Sequence, residues 1–554
     1  MLLSHRTRAA LLAAATSAVS VSLLAAGAPS PAVPLGIGDP LFPHLGNPGY
    51  DVRSYDIAFT YGGDNRKPLD AVTVINARST DRLKHINLDF AQGKVRSVAV
   101  NGARAAYATT NEDLVVTPAQ PIAAGSPMRI TVRHTSNPEG STDGGWVRTG
   151  DGLAMANQAD AAHRVFPCND HPADKADFTF RVTAPKGLTA VANGLPEGRR
   201  AGAKATTWTY RTHHPMATEL AQVSIGKSTV VRRKGPHGLP VRDVVPTKDR
   251  AQLERWLKKT PGQISWMEQK VGRYPFEAYG LLVADAETGF ELETQTLSLF
   301  ERALFMRPEF PEWYVDSIMI HELAHQWFGN SVSPRTWSDL WLNEGHATWY
   351  EALYAEEQAR QPMETRMKDA YRSSDSWRAA GGPPAAPKAP APGEKISLFR
   401  PVVYDGSALV LYALRQEIGH AAFDRLERAW LRRHADRTAT TADFTRLASA
   451  IAGRDLTGFF KAWLYAKKTP PMPGHPDWKS DAPLAEPRGA GTDRASGHGA
   501  SGHGASGHEV AGNEASGHEV AGHEAAGHGA GHGTGQSAGH VAGHEAAHAP
   551  AQSG

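Results

Sequence analysis

The chain has 554 residues, 41% of them hydrophobic, and a formal net charge of +2 from 59 basic and 57 acidic side chains. This balance gives no electrostatic support for a nucleic-acid partner or a strongly acidic one. The single cysteine, Cys168, excludes an intramolecular disulfide, so the fold must hold by packing or by a metal, and Cys168 reads as a buried small residue.

The chain begins with a basic segment, His5, Arg6 and Arg8, followed by a mildly apolar run from Ala9 to Ala26 and the small residues Ala26-Gly27-Ala28. This is the pattern of a secretion signal over residues 1–28, with Ala32 as an alternative end because Pro29 is a poor residue after a cleavage point. No cysteine lies near that point, which excludes a bacterial lipid anchor, and no later apolar run is long enough to span a bilayer. The expectation is an exported, extracellular protein with no membrane association after signal removal.

Residues 45–240 read as strands. Tyr55, Ile57, Phe59 and Tyr61 alternate with their neighbours, as do Met128, Ile130 and Val132, and Phe178, Phe180 and Val182. Turn signals such as Gly62-Gly63-Asp64 and Asn101-Gly102 separate the runs, which predicts an antiparallel β domain. Residues 249–478 show helical periodicity instead. Within them, the Pro/Ala-rich stretch Gly381 to Gly393 reads as an extended loop, on the surface or at the entrance to a site.

Residues 479–554 differ in kind. Gly-His pairs recur every five residues at His498, His503 and His508, then at His518, His523 and His528. With almost no large apolar residues, this tail is expected to be disordered. No Lys or Arg follows Arg494, while Glu509, Glu514, Glu519, Glu524 and Glu545 are present. The tail is therefore mildly acidic at neutral pH and turns positive as imidazoles protonate near about 6.5. Neutral imidazoles at this density suit weak binding of Zn, Ni or Cu, or are incidental to a solvated tail.

The chemistry concentrates in the middle of the helical half. His321-Glu322-Leu323-Ala324-His325 puts two imidazoles four residues apart, on one face of a helix, and Glu344 follows nineteen residues after His325. Two histidines and a carboxylate leave one position open on a Zn2+ ion, the arrangement of a catalytic rather than a structural site. Glu322 is then placed to take a proton from the water that such an ion activates. Pro311, Glu312 and Asp316 suit a helix start, Val315, Ile318, Met319 and Leu323 recur at helical spacing, and Gly329-Asn330 is a stop signal. Ser338 is the expected cap of a second helix that carries Glu344 and runs through Ala347, Tyr350 and Leu353.

His321 to Asn330 reads H-E-L-A-H-Q-W-F-G-N, and Trp337 to Ala347 reads W-S-D-L-W-L-N-E-G-H-A. Both resemble the aminopeptidase N family of zinc metallopeptidases, whose pattern is H-E-x-x-H, eighteen residues, then Glu. Further landmarks occur in family order: Phe166-Pro167-Cys168-Asn169-Asp170 with Pro172 and Lys175, Val191-Ala192-Asn193-Gly194, Pro215-Met216, and Tyr274-Pro275-Phe276. The resemblance runs from about Tyr50 to Trp478 and leaves out both ends. It implies an α+β multidomain fold: an N-terminal antiparallel β domain, then a thermolysin-like zinc metallopeptidase domain over 249–478.

The resemblance also implies roles. Tyr404-Asp405-Gly406-Ser407-Ala408 is similar to the family's Y-E-K-G-A stretch, whose tyrosine stabilises the oxyanion. The family's G-A-M-E-N stretch, whose Glu binds the substrate's α-ammonium, corresponds to Phe290-Glu291-Leu292-Glu293-Thr294. Glu293 inherits the position, with Glu291 as the competing assignment, while Phe290 and Thr294 depart from the family's Gly and Asn and bear on pocket size. Gln158, ten residues before Cys168, matches a glutamine that lines the substrate pocket. Family members commonly continue into a helical carboxy-terminal domain. The pattern here ends near Trp478, so a more open cleft is expected.

The leading reading is an exported zinc aminopeptidase acting on peptides with free amino termini. An endopeptidase of the same fold and a metal-sequestering protein acting through its tail are the alternatives.

Overall fold

The alternation in the first half builds a ten-stranded sheet. The structure, a computed structural model, describes residues 36–482 apart from 111, 139–143, 287 and 391–397. The expected secretion signal, and the tail beyond residue 482, lie outside the described residues. In sheet order the strands are Leu195–Ala201, Ala205–Arg211, Asp177–Pro185, Tyr50–Thr60, Leu69–Ser79, Pro127–Ser136, Val95–Val100, Ala103–Thr110, Asp113–Thr117 and Ile86–Asp89. Tyr55, Ile57, Phe59, Phe178, Phe180 and Val182 all point into one core.

One pairing departs from the antiparallel expectation. Tyr50–Thr60 pairs parallel with Asp177–Pro185, Tyr55 opposite Phe178, while pairing antiparallel with Leu69–Ser79. Alternation reports which face a residue occupies, not which strand lies beside it. A four-stranded antiparallel sheet, Thr189–Ala192, Val223–Gly226, Leu153–Ala156 and Gly145–Arg148, shares the same core. Cys168 is fully buried there.

A third sheet joins the two halves. The hairpin Ser228–Lys234 and Pro240–Pro246 continues through Leu281–Ala284 to Ser298–Glu301, the last three strands running parallel. Val241, Val245, Leu281 and Val283 face the helical core, whereas Val244, Leu282 and Ala284 face the β core. The hairpin, strand-like in sequence and grouped there with the β domain up to residue 240, is thus hydrogen-bonded into the second half.

Ten helices follow among the described residues: α1 (Arg250–Leu257), α2 (Thr260–Val271), α3 (Arg302–Met306), α4 (Glu312–Ala324), α5 (Trp341–Ala359), α6 (Met363–Gly381), α7 (Asp405–Ile418), α8 (His420–His434), α9 (Thr441–Ala452) and α10 (Thr457–Tyr465). None is long and apolar enough to cross a membrane. The start of the Pro/Ala-rich stretch is packed rather than a free surface loop. Ala385 is buried in the helical core, and its N–H donates to Leu464 O at 3.2 Å.

Candidate active site

Helix α4 starts after Pro311 and carries Glu312 in its first turn, as its sequence suggests. Its second half is buried on every side, from Ser317 through Ala324, so it lies inside the domain rather than on its surface. The turn before α5 is capped by Thr336, not Ser338. Thr336 N donates to Asp339 Oδ2 at 3.3 Å as one arm of a reciprocal capping box, Thr336 Oγ1 donates to the same oxygen at 3.0 Å, and Asp339 Oδ1 accepts from Thr441 N at 2.8 Å. Thr336-x-x-Asp339 was the available signal.

Helices α4 and α5 bring His321, His325 and Glu344 together, all buried, with ligand atoms within 4.8 Å of one another. Glu344 Oε2 lies 3.4 Å from His321 Nε2 and 3.3 Å from His325 Nε2, and has no hydrogen-bond partner among the described residues. Each imidazole uses its other nitrogen outside this triangle. His321 Nδ1 lies 3.0 Å from Glu351 Oε2; His325 Nδ1 lies 2.9 Å from Asn343 Oδ1 and 3.1 Å from Phe328 O. Those acceptors fix the tautomer, so both Nε2 lone pairs converge with a carboxylate oxygen.

Charge in the site is of the kind a cation would neutralise. Burial opposes ionisation of all three groups. Even so, Glu344 and Glu351 raise His321 well above its usual range, Glu293 and Glu344 raise His325 to about 9, and the imidazoles hold Glu344 at about 2. A set of donors that attracts protons this strongly fits a divalent ion, and two nitrogens with one oxygen suit zinc. The site holds one catalytic zinc through His321, His325 and Glu344.

Gly329 is required for this geometry. Its φ is +121°, and a Cβ there would stand 1.7 Å from Asn343 Oδ1, the atom that holds His325. Glu322 is buried on the same helix, and its Oε2 has no hydrogen-bond partner among the described residues. Burial pushes its carboxyl up, against the pull of His321 and His325.

Tyr404 immediately precedes α7, its ring centroid 6.0 Å from that of His321. Burial, then Glu344, Glu293 and Glu322, push its phenol well above the usual range, so it keeps its proton and remains a donor. Leu398, Val402 and Val403, just before it, are buried with Leu41, Phe42, Leu45, Ala159, Trp337 and Leu340. Each such side chain contributes about 1.5–3 kcal/mol, so packing rather than Tyr404 itself sets the loop.

Glu293 sits in the connection between Leu281–Ala284 and Ser298–Glu301. Its Oε1 accepts from Gln158 Nε2 at 2.7 Å and Asn343 Nδ2 at 3.2 Å, and lies 3.9 Å from His325 Nδ1. Its backbone carbonyl accepts from Gln326 Nε2 at 3.1 Å and Asn330 Nδ2 at 2.6 Å. The structure thus brings Gln158, Glu293 and the metal ligands into one site. Glu291 is half-buried, and desolvation followed by Glu301 pushes it up to about 8. Thr294 Oγ1 donates to Leu297 O and closes the local turn.

Sequence reasoning missed Asn343, Glu351 and Arg366. Glu351 falls seven residues after Glu344, on the same face of α5, so helical spacing could have found it. Arg366 donates to Glu351 Oε1 and to Asp405 Oδ1, both at 2.7 Å, connecting the His321 partner to the residue after Tyr404.

Known proteins are similar to this chain. The Peptidase family M1 domain matches residues 256–463, and the Peptidase M1 N-terminal domain matches residues 63–220. The chain is similar to aminopeptidase N of Rattus norvegicus, 30% identical over 274 residues, covering 46% of this chain and 28% of that protein. It is also similar to glutamyl aminopeptidase of Mus musculus, 26% identical over 298 residues, covering 51% of this chain and 31% of that protein. The match spans less than a third of the length of these relatives. Among solved structures, an M1 zinc metallopeptidase from Deinococcus radiodurans is 26% identical with a TM-score of 0.68, covering 82% of this chain and 100% of that one.

Proposed function

The chain belongs to the M1 peptidase family, and on that basis we propose that it is a zinc-dependent aminopeptidase that removes residues singly from free amino termini of peptides. The observation that carries this reading is Glu293. It is a carboxylate only 3% exposed, beside the metal ligands, and among the described residues its side chain accepts from Gln158 and Asn343 and from no Lys or Arg. A peptide's α-ammonium suits this carboxylate, and binding it there sets the first peptide bond against the ligand triangle.

Zinc in this site supplies a Lewis acid for the scissile carbonyl and lowers the pKa of water to about 7. Glu322 takes a proton from the attacking water and returns it to the departing amine. The protonated phenol of Tyr404 donates to the oxygen on which negative charge develops. Glu293 and Gln158 hold the amino terminus.

Zinc-loaded protein tests this on peptides with free and acetylated termini, with Glu322→Gln as the control for contaminating activity. Stepwise release confined to free termini supports an aminopeptidase. Equal cleavage of acetylated peptides would make it an endopeptidase.

The basic-then-apolar start of the chain supports export. Fractionation of producing cells, with the mature amino terminus sequenced, tests it: protein outside the cell cleaved near Ala28 supports export, and uncleaved cytoplasmic protein contradicts it.

A further inference from the structure

Asn343 is the residue of α5 just before the metal ligand Glu344, and it is buried. Its side-chain amide reaches both halves of the site. Oδ1 lies 2.9 Å from Nδ1 of the metal ligand His325, and Nδ2 donates to Glu293 Oε1 at 3.2 Å. Which end of the amide faces which partner follows from a third group. His325 Nδ1 also lies 3.1 Å from the backbone carbonyl oxygen of Phe328, which can only accept, so Nδ1 carries the proton. The atom of Asn343 beside that N–H must then be the oxygen, and the NH2 is left to face the carboxylate.

Without this amide its two partners would turn to each other. His325 Nδ1 and Glu293 Oε1 are 3.9 Å apart, too far for a hydrogen bond but near enough for a small side-chain rotation to close. Such a bond would draw Glu293 toward the imidazole and turn the Nε2 lone pair away from the ion. Asn343 prevents it by giving His325 an acceptor and Glu293 a donor. The amide is itself closely held. A Cβ on Gly329 would stand 1.7 Å from its Oδ1, 2.6 Å from its Cγ and 3.0 Å from its Nδ2, so the chain at Gly329 lies flat against it. Gln326 and Asn330 hold the main-chain carbonyl of Glu293, which leaves the direction of its carboxylate to Asn343 and Gln158.

We propose that Asn343 is a positioning residue that sets the distance between the amine-binding carboxylate and the metal. This rests on the aminopeptidase reading. The α-nitrogen of a peptide and its first carbonyl carbon are joined through a single carbon, so the place of the ammonium decides which bond reaches the metal. One rigid amide, hydrogen-bonded to a metal ligand at one end and to the ammonium receptor at the other, holds that register. Loss of Asn343 therefore moves two measurable quantities together: zinc affinity through His325, and the preference for a free amino terminus through Glu293.

The test measures zinc affinity by competition with a chelator, and kcat/KM of the zinc-saturated enzyme on a free-amine peptide and its acetylated twin, with thermal unfolding of every variant. Asn343→Ala is expected to weaken zinc binding about 10- to 100-fold. It should also lower the free-to-acetylated ratio of kcat/KM about tenfold. Asn343→Asp keeps the acceptor for His325, so its zinc affinity should stay within about threefold of the wild type. In a Glu293→Gln background, Asn343→Ala should weaken zinc by the same factor as alone but change the ratio by less than about twofold, because the charge it positions is gone. Asn343→Ser, too short to span both partners, substitutes if Asn343→Ala fails to fold. Unchanged zinc affinity or an unchanged ratio in Asn343→Ala, zinc held as weakly by Asn343→Asp as by Asn343→Ala, or a full further loss of the ratio in the double variant each overturn the proposal and leave the aminopeptidase reading standing. A wild-type enzyme that cleaves both peptides equally overturns that reading itself, and the positioning role with it.

Discussion

Glu351 joins the metal ligands to the loop of Tyr404: its Oε2 lies 3.0 Å from His321 Nδ1, and its Oε1 accepts from Arg366, which also holds Asp405. One guanidinium therefore ties the partner of a zinc ligand to the residue that follows the phenol. Removing the charge in Glu351→Gln should weaken zinc binding about 10- to 100-fold. Competition with a chelator of known affinity measures this, and activity should recover at saturating zinc. Recovery would separate the role from one in the chemical step.

Tyr404→Phe should lower kcat about 10²- to 10³-fold while KM and zinc content stay close to those of the wild type. The ring remains, so packing is conserved and only the donor is lost. A variant with unimpaired kcat would remove Tyr404 from the chemistry.

How much of this could be read in the sequence depended on distance along the chain. His321, Glu322, His325 and Glu344 were legible because a helix repeats every 3.6 residues and the ligands lie on two consecutive helices. Tyr404 and Glu293 came only from resemblance, since no local periodicity connects a loop residue to a site 60 residues before it or 28 after it in the chain. Strand faces were readable from alternation, but the parallel pairing of Tyr50–Thr60 with Asp177–Pro185 was not, because it joins segments more than a hundred residues apart.

The β domain contains a buried ionic cluster that gives the fold a pH dependence. Burial opposes a charge on His163, but Asp170 at 2.7 Å, together with Glu112 and Asp89, raises it to about 10, and Asp113 also faces it. The folded value lies above that of the unfolded chain, about 6.5. Its contribution is therefore whole below that pH and is lost as pH rises toward 10. In urea unfolding, the wild type should exceed His163→Gln by a few kcal/mol at pH 7 and by clearly less at pH 9.5. A gap that stays constant would show that His163 acts by packing alone.

Truncation after Ala482 separates catalysis from the histidine-rich segment. Turnover at saturating zinc should match that of the longer chain, with the single ion of His321, His325 and Glu344 retained. Loss of turnover would assign the tail a part in the reaction.

The central claim is that Glu293 reads a free amino terminus, and Glu293→Gln tests it most directly. The variant keeps the size of the side chain and an acceptor for Gln158 and Asn343, but not the charge. The measurement is the ratio of kcat/KM for a free-amine peptide to that for its acetylated twin. The expected result is a ratio lowered about 10²- to 10³-fold, almost entirely through the free peptide. A ratio unchanged from the wild type would contradict the claim and place amine selection elsewhere in the site.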